Sequence, residues 1–263
     1  MKPITLITGA SSGIGADLAR VFAERGHDLV LVARRQDKLD ALAAEIAGSG
    51  RPAPAIIALD LGRRDSAARL AAELAARGLE PDIVVNNAGF GLAGAAVKID
   101  HDEQLAMVDL NVRALTELSL AFADSLARHR GGILNVASIA AFVPGPYMAV
   151  YYATKAYVLS FSEALHRELA AQGVRVTALC PGPVATEFQD RAKLSPGELG
   201  ESGILAIPSR RVAEIGYRAL MRGQRVAVAG FGNKLMVGLM RILPHAILLA
   251  IIEHRMRQTR NAS

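Results

Sequence analysis

The chain has 263 residues, of which 51% are hydrophobic and 5% aromatic, and its formal net charge is +5. This length is compatible with one large α/β domain that buries a substantial, mainly aliphatic core. Scattered basic residues without interleaved aromatic residues indicate no nucleic-acid partner, and a single cysteine with no cysteine–histidine cluster excludes an intrachain disulfide and gives no metal site to propose.

Short aliphatic and β-branched runs alternate with longer amphipathic runs along residues 1–230. This alternation is typical of βα units and predicts a parallel, doubly wound α/β sheet in a single domain. The predicted strands are Ile4–Thr8, Asp28–Ala33, Ala55–Leu59, Ile83–Asn86, Gly132–Val136, Arg175–Cys180 and Val226–Ala229. The predicted helices lie near 13–25, 36–48, 64–77, 102–129, 151–172 and 209–222. Ligands of such sheets bind at the carboxyl ends of the strands, and the motifs described below fall there.

A glycine-rich turn with the spacing G-x3-G-x-G joins the first predicted strand to the first predicted helix. Backbone amides and a helix N-terminus would face a pyrophosphate there, and the glycines permit a tight turn and a close approach of the ligand. The predicted phosphate-binding residues are Gly9, Ser11, Ser12, Gly13, Ile14 and Gly15. An ordinary strand-to-helix turn is the alternative for this triplet alone.

The end of the second predicted strand bears on the choice of nucleotide. An acidic residue there would bind the ribose 2′-hydroxyl of NAD and repel a 2′-phosphate. The sequence instead has Arg34-Arg35, and no carboxylate occurs before Asp37. Arg34 can stack beside the adenine and pair with a 2′-phosphate, so we expect NADP(H), with NAD(H) as the less favoured cofactor. The alternative is a solvated arginine pair.

Tyr151 and Lys155 occupy positions i and i+4 of a predicted helix that follows Ser138. Residues with this spacing share a helix face, so the ammonium group of Lys155 is expected to lower the pKa of the Tyr151 phenol toward the range useful for acid–base catalysis. A tyrosine–lysine pair of this kind, taken alone, is more often a solvated surface pair. Tyr152 and Tyr157 have no lysine at i+4.

The order of the motifs is more specific than any one of them. After the glycine-rich turn come Asn86-Asn87-Ala88-Gly89, Asn111, Ser138, Tyr151, Lys155 and Pro181-Gly182. Over about residues 3 to 230 this set resembles the short-chain dehydrogenase/reductase family, in its NADP-preferring type. The resemblance implies a Rossmann fold and an enzyme that moves a hydride between NADP(H) and a carbonyl or secondary alcohol.

The resemblance also implies roles for individual residues. The implied catalytic residues are Asn111, which holds a water linking Lys155 to solvent, Ser138, which holds the substrate oxygen, Tyr151, which exchanges the proton, and Lys155, which also binds the nicotinamide ribose. The implied cofactor contacts are Asp60 and Leu61 at the adenine, Asn87, Ala88 and Gly89 at its ribose, and Pro181, Gly182, Val184 and Thr186 at the nicotinamide and phosphates. In the alternatives, Ser138 is a cap, Asn111 a surface residue and Asn87 a local turn residue.

The predicted substrate wall is mostly apolar, which favours a lipophilic or aromatic carbonyl compound. It comprises Ile139, Ala140, Phe142, Val143, Tyr147 and a segment 187–208 that carries Phe188, Leu194, Ile204 and Leu205. In the family the helices near 102–129 and 151–172 make subunit contacts, so we expect a homodimer or homotetramer.

Residues 231–263 are predicted to form an apolar C-terminal helical extension of the domain 1–230. Arg241 and Pro244 leave its apolar run, Leu235–Ile252, too short for a spanning helix of about 20 residues. We favour packing on the body or on a partner subunit, with peripheral membrane contact through 235–260 as the alternative. The first strand leaves no room for a secretory signal, so we expect a cytoplasmic protein, membrane-associated if that alternative holds. The competing functions are a non-catalytic nucleotide-binding regulator and a lipid carbonyl reductase at a membrane surface.

Overall fold

The computed structural model describes residues 1–192, 206–244 and 247–253. Its strands are β1 (Lys2–Thr8), β2 (Leu29–Ala33), β3 (Ala55–Ala58), β4 (Leu79–Asn86), β5 (Gly132–Val136), β6 (Arg175–Cys180) and β7 (Val226–Val228). They form one parallel sheet in the order β3-β2-β1-β4-β5-β6-β7. The order reverses between β1 and β4, where doubly wound sheets open a crevice for a ligand. The predicted Rossmann fold is confirmed.

Helices cover both faces of the sheet. The α-helices of the described residues are α1 (Gly13–Glu24), α2 (Gln36–Gly48), α3 (Ser66–Ala76), α4 (His101–Val108), α5 (Leu115–Ala121), α6 (Ala123–His129), α7 (Ala149–Glu168), α8 (Phe188–Ala192), α9 (Ser209–Met221) and α10 (Phe231–Ile242), and residues 247–253 are helical too. Shorter 3₁₀ turns occur at Ala96–Lys98, Ile139–Phe142 and Ala170–Gln172, and a π turn occurs at Asp109–Ala114.

The strands are nearly continuous apolar runs because both faces of a parallel sheet are buried. Helices α1, α2 and α9 pack on one face, and α3, α5, α6 and α7 pack on the other. Adjacent residues of one strand point to opposite faces, so Leu31 belongs to the first core and Val32 to the second. Packing on two sides holds the carboxyl ends of the strands in fixed positions relative to one another.

Residues 102–129 differ from the prediction of a single helix. The structure divides them into α4, the π turn Asp109–Ala114, α5 and α6, with α5 and α6 separated at Phe122, whose φ is −106°. A π turn accommodates one extra residue inside a helix, and here the buried Asn111 lies within it. The amphipathic pattern runs through these breaks, so it gives no sign of them. Several predicted boundaries also move by a few residues; for example, α7 begins at Ala149 and ends at Glu168, and β4 begins at Leu79.

In the described ranges, none of the helices combines the length and the hydrophobicity that a bilayer-spanning segment requires.

Candidate active site

A cavity of about 1290 Å³ opens at the carboxyl ends of the strands. The loops that follow β1 to β6 form much of its wall. The predicted cofactor residues line it without exception: Gly9, Ser11, Ser12, Gly13, Ile14, Gly15, Arg34, Asp60, Leu61, Asn87, Ala88, Gly89, Tyr151, Lys155, Pro181, Gly182, Val184 and Thr186. Of the predicted catalytic residues, Ser138, Tyr151 and Lys155 line the cavity and Asn111 does not.

The glycine-rich turn between β1 and α1 needs its glycines for two different reasons. Gly9 and Gly13 have φ angles of 64° and 53°, which residues with a side chain rarely adopt. Gly15 has no space for a side chain, because a Cβ atom there would lie 2.2 Å from the carbonyl oxygen of Gly9. The turn therefore presents bare backbone at the N-terminus of α1, an arrangement that fits a pyrophosphate.

Asn87 braces the glycine-rich turn. Its Nδ2 donates to the carbonyl oxygens of Thr8 at 3.0 Å and Gly9 at 3.1 Å. The backbone N–H groups of Asn87 and Ala88 donate to Thr8 Oγ1 at 3.0 and 3.1 Å. Asn87 is therefore not a turn residue bonded to its own backbone, which was the alternative. It is bonded to the end of β1, which is distant in the chain. These bonds hold the loop after β4 beside the loop after β1.

Asp60 and Leu61 follow β3 on the adenine side of the predicted site. Asp60 is exposed, and its Oδ1 accepts a hydrogen bond from the N–H of Gly62 at 3.0 Å. Leu61 is buried. The local bond fixes the direction of the loop, as aspartate commonly does in turns.

The two arginines after β2 have different surroundings. Arg34 is exposed at the cavity and has no side-chain hydrogen bond within the part of the chain that the structure describes. Arg35 Nη2 donates to Ser11 Oγ at 3.1 Å, Ser12 Oγ at 3.2 Å and Glu187 Oε2 at 2.6 Å. The bond between Arg35 and Glu187 raises the pKa of the arginine and lowers the pKa of the glutamate. Arg35 therefore lies directly on the predicted phosphate-binding turn, although only its neighbour was selected from the sequence.

Helix α7 brings Tyr151 and Lys155 to the end of β5. The phenol of Tyr151 is hydrogen-bonded to Ser138. Ser138 Oγ also accepts a bond from the N–H of Ala140 at 3.1 Å, so this serine caps the following 3₁₀ turn as well. Lys155 Nζ donates to the carbonyl oxygen of Val136 at 2.8 Å and lies 5.8 Å from the centre of the Tyr151 ring. The serine, the tyrosine and the lysine thus meet in one place.

Burial dominates the pKa values of this pair. It raises the pKa of Tyr151, and the hydrogen bond with Ser138 opposes that shift only in part. Burial also lowers the pKa of Lys155, to about 8. The prediction that Lys155 lowers the pKa of Tyr151 is therefore wrong for this arrangement. Burial destabilises the phenolate by more than its polar neighbours stabilise it, so the net shift of the Tyr151 pKa is upward. Tyr151 is therefore protonated near neutral pH.

Asn111 lies behind the cavity wall and is almost fully buried. Its Nδ2 donates to the carbonyl oxygen of Phe90 at 2.9 Å and to Thr154 Oγ1 at 3.1 Å, and its Oδ1 accepts from the N–H of Phe90 at 3.0 Å. The alternative of a surface residue is wrong. Gly89 is close by, since a Cβ there would lie 2.8 Å from Asn111 Oδ1 and 3.7 Å from Lys155 Nζ. Both amide N–H groups of Asn111 are thus occupied in joining α7 to the loop after β4.

Gln189, which is not among the site residues predicted from the sequence, holds the segment after β6 in place. Gln189 Nε2 donates to the carbonyl oxygen of Val184 at 2.8 Å, and its Oε1 accepts from the N–H of Thr186 at 3.0 Å. Thr186 in turn lies against the glycine-rich turn, because a Cβ on Gly13 would be 2.9 Å from its methyl group. The loops after β1 and β6 therefore meet where phosphates are predicted to bind.

Helix α8 covers the predicted catalytic tyrosine. The ring centres of Phe188 and Tyr151 are 5.3 Å apart. The guanidinium group of Arg191 lies 4.3 Å from the centre of the Phe90 ring, which fastens the other end of this short helix.

The predicted substrate wall is found in part. Ile139, Ala140, Val143 and Phe188 line the cavity, whereas Phe142 and Tyr147 do not. Leu194, Ile204 and Leu205 lie outside the described residues. Seven apolar residues of the C-terminal extension line the cavity, which the sequence analysis did not foresee: Met236, Leu239, Met240, Leu243, Leu248, Ile251 and Ile252.

Comparison with known proteins identifies the family of the chain. The family described as short chain dehydrogenase matches residues 3–196. The chain belongs to the short-chain dehydrogenase family. It is accordingly an oxidoreductase that uses a nicotinamide cofactor, NAD(P)(H), and acts on a carbonyl or alcohol group. The family and the type of reaction expected from the motifs are confirmed.

Two relatives illustrate the similarity of sequence. A serine 3-dehydrogenase of Agrobacterium fabrum is 36% identical over 189 residues, which cover 72% of this chain and 74% of that protein. An uncharacterized oxidoreductase of Staphylococcus saprophyticus is 32% identical over 78% of this chain and 90% of its own length.

Two solved structures share the fold. A short-chain dehydrogenase from Sphingobium yanoikuyae in complex with NADPH has a TM-score of 0.77 and 35% identity, covering 94% of this dehydrogenase and 97% of that chain. A bulky-bulky ketone specific alcohol dehydrogenase from Comamonas testosteroni has a TM-score of 0.74 and 30% identity, covering 94% and 96%.

Proposed function

We propose that this short-chain dehydrogenase reduces the carbonyl group of a lipophilic ketone or aldehyde with NADPH. The observation that carries the proposal is that one cavity combines three features. Its wall holds the pair Tyr151 and Ser138, the glycine-rich turn with Arg34 and Arg35, and a large set of apolar residues.

The residues at the nucleotide side suit a cofactor with an extra phosphate. The glycine-rich turn lines the cavity at the N-terminus of α1, where backbone N–H groups can bind a pyrophosphate. Arg34 projects at the end of β2 with its hydrogen-bonding capacity available for a 2′-phosphate, and Arg35 adds a second positive charge close by. The NADPH complex of the Sphingobium relative supports the same assignment.

The chemistry follows from the protonation state of Tyr151. A bound nicotinamide supplies the hydride, and the substrate oxygen must then gain a proton. Tyr151 is protonated near neutral pH because burial raises its pKa, so it is ready to donate that proton in the direction of reduction. Ser138 donates a hydrogen bond to the substrate oxygen and holds it near the phenol. Lys155, with a pKa of about 8, exchanges protons close to the working pH and can return one to the tyrosine.

Asn111 is a positioning residue in this scheme. Both of its amide N–H groups are bonded to protein atoms, so its side chain fixes Phe90 and Thr154 in place beside Lys155. The water implied by the family resemblance would therefore need a partner other than the amide nitrogen of Asn111.

The substrate class rests on the apolar wall. Apart from Ser138, Tyr151 and nearby backbone groups, the cavity surface beyond the nicotinamide side is formed mainly by aliphatic and aromatic residues. A substrate with hydroxyl or carboxylate groups remote from its carbonyl would lose their hydration there without compensation. The Comamonas relative, specific for bulky ketones, supports a lipophilic substrate.

Exposed apolar residues support a homodimer or homotetramer built through the predicted helices. Leu105 and Val108 of α4, Leu120 of α5 and Tyr157 of α7 are exposed. Large apolar side chains at the surface commonly mark a protein interface.

Replacement of Tyr151 by phenylalanine tests the proposed reaction. Tyr151→Phe removes the transferable proton, and we expect kcat for a panel of lipophilic ketones and aldehydes, followed by NADPH absorbance, to fall by a factor on the order of 10² to 10⁴. NADPH affinity, measured by fluorescence titration, should stay within about twofold of that of the unchanged protein. Tyr152→Phe is the matched control, since Tyr152 lines the same cavity and its ring lies next to that of Tyr151. Equal kcat values for Tyr151→Phe and the unchanged enzyme would show that another group is the acid.

A further inference from the structure

The first residues of the C-terminal extension pack directly against the active site. Asn233 of α10 is buried, and its Nδ2 donates to the carbonyl oxygen of Ala229 at 2.7 Å. A Cβ on Gly182 would lie 2.4 Å from that same nitrogen, so the start of α10 packs directly on the turn after β6. Further along, α10 contacts the 3₁₀ turn Ile139–Phe142, which begins next to Ser138. The position of α10 is therefore fixed by both loops that border the reacting groups.

The face of α10 that lines the cavity is entirely apolar. Met236, Leu239 and Met240 have the spacing i, i+3 and i+4, which places them on one side of the helix over about 6 Å of its axis. Leu243, directly after the end of α10, lines the cavity as well. Leu248 continues this wall from the next helical segment, and it is buried. An apolar strip without a polar side chain thus forms part of the wall of the cavity that Tyr151 also lines.

Two properties of this strip indicate the shape of its ligand. Leu239 and Leu243 line the cavity and are nevertheless 52% and 38% exposed, so the strip is partly open to solvent and covering its apolar area would be favourable. Met236 and Met240 are flexible side chains that adapt to a ligand without a fixed outline. An alkyl chain meets both conditions, because it is narrow, apolar and flexible.

Resting on the proposed carbonyl reduction, we propose that α10 and residues 247–253 bind a long alkyl chain of the substrate while its carbonyl group lies at Tyr151. The substrate class is thereby narrowed to long-chain aliphatic ketones and aldehydes, or the corresponding alcohols in the reverse direction. Leu239 is a specificity-determining residue, since its half-exposed side chain lines the cavity and would be covered by the alkyl chain.

A series of methyl alkyl ketones, from butanone to tridecanone, tests the inference. For the full-length enzyme with NADPH, we expect kcat/KM to rise by about fourfold for each added methylene until the strip is covered. Leu239→Gln should lower kcat/KM for tridecanone on the order of tenfold and lower that for butanone by clearly less, because butanone covers less of the strip. Leu235→Gln is the matched control: Leu235 lies one turn earlier on α10, is 60% exposed and does not line the cavity.

A binding measurement separates this inference from the proposed reaction. Calorimetry with the Tyr151→Phe variant and NADP⁺ reports ketone affinity without turnover. If no ketone is reduced but affinity still rises with chain length and falls in a protein that also carries Leu239→Gln, the alkyl site stands and the proposed reaction fails. If ketones are reduced with no dependence on chain length, or if Leu235→Gln and Leu239→Gln have equal effects, the alkyl site is overturned and the reaction stands.

Discussion

Arg34 and Arg35 are neighbours in the sequence, but their surroundings differ. Arg34 is exposed in the cavity wall after β2, whereas Arg35 is bonded to the glycine-rich turn and Glu187. A sequence pattern identifies the pair but does not distinguish its members. The distinction depends on Glu187, which is 152 residues away along the chain.

Arg34 is expected to determine the preference for NADPH over NADH. Removal of one charge-assisted hydrogen bond costs about 1.5–3 kcal/mol, so Arg34→Ala should weaken NADPH binding by about tenfold to a hundredfold. NADH affinity should change little, because NADH has no 2′-phosphate. Fluorescence titration with both cofactors measures the difference, and Arg64→Ala, an exposed arginine outside the cavity wall, is the control. Equal losses for the two cofactors would rule out phosphate recognition by Arg34.

The reacting groups show how far residue-level inference from sequence reaches. The spacing of Tyr151 and Lys155 was sufficient to place both on one face of α7, because helix geometry is local. The direction of the tyrosine pKa shift could not be predicted in this way. It depends on burial, and Tyr151 is buried by α8 and other segments that are distant in the chain. The contacts of Asn111 with Phe90 and Thr154 are also long-range, and no periodic pattern reports them.

At the scale of elements, α8 connects the cofactor side of the cavity to the substrate side. Glu187 immediately precedes α8 and pairs with Arg35 on the glycine-rich turn, while Phe188, the first residue of α8, lies on Tyr151. A phosphate that approaches Arg35 must therefore share it with a carboxylate. Because Glu187 and Phe188 are adjacent in the chain, the position of the Glu187 carboxylate is coupled to the position of the Phe188 ring, which covers Tyr151.

Neutralising Glu187 tests this competition. Ion pairs as exposed as Arg35–Glu187 contribute up to about 1 kcal/mol, so Glu187→Gln should tighten NADPH binding by up to about fivefold and NADH binding by less. Glu24→Gln, which breaks a similarly exposed pair with Arg210 remote from the cavity, is the matched control in the same titration. Weaker NADPH binding in Glu187→Gln would mean instead that the glutamate holds Arg35 in its binding position.

The strands were predictable because they are short, mainly apolar runs, three of which end directly at a glycine, asparagine or proline (β1, β4 and β6), and because alternation with amphipathic runs indicates parallel pairing. The breaks around Asp109–Ala114 and Phe122 were not, since the apolar spacing of the helix continues across them. The place of α10 in the cavity wall was also hidden. Its apolar residues are evident in the sequence, but the surface that they meet is formed by loops after β5 and β6.

At the scale of the whole molecule, truncation after Gly230 removes α10 and everything that follows it. Val237 and Leu248 are buried and Met236 and Met240 line the cavity, so removal exposes apolar surface of the body. We expect a lower melting temperature by differential scanning calorimetry, by several degrees, in line with a loss of a few kcal/mol in a domain of this size. Co-sedimentation with anionic vesicles should be as low for the full-length protein as for the truncated one.

The opposite results would favour membrane contact. A truncated protein with an unchanged melting temperature and solution mass, combined with vesicle binding by the full-length chain alone, would contradict the packing of the extension on the body.

The position of β1 between β2 and β4 has a consequence for how the chain folds as it is synthesised. β1 pairs with β2, which is made soon afterwards, and with β4, whose residues 79–86 emerge much later. Until then, one edge of β1 has no partner, and the turn that carries Gly9 lacks the brace from Asn87. Ribosome-bound fragments that end before β4 should therefore be protease-sensitive throughout, and resistance should appear only in fragments long enough to include it.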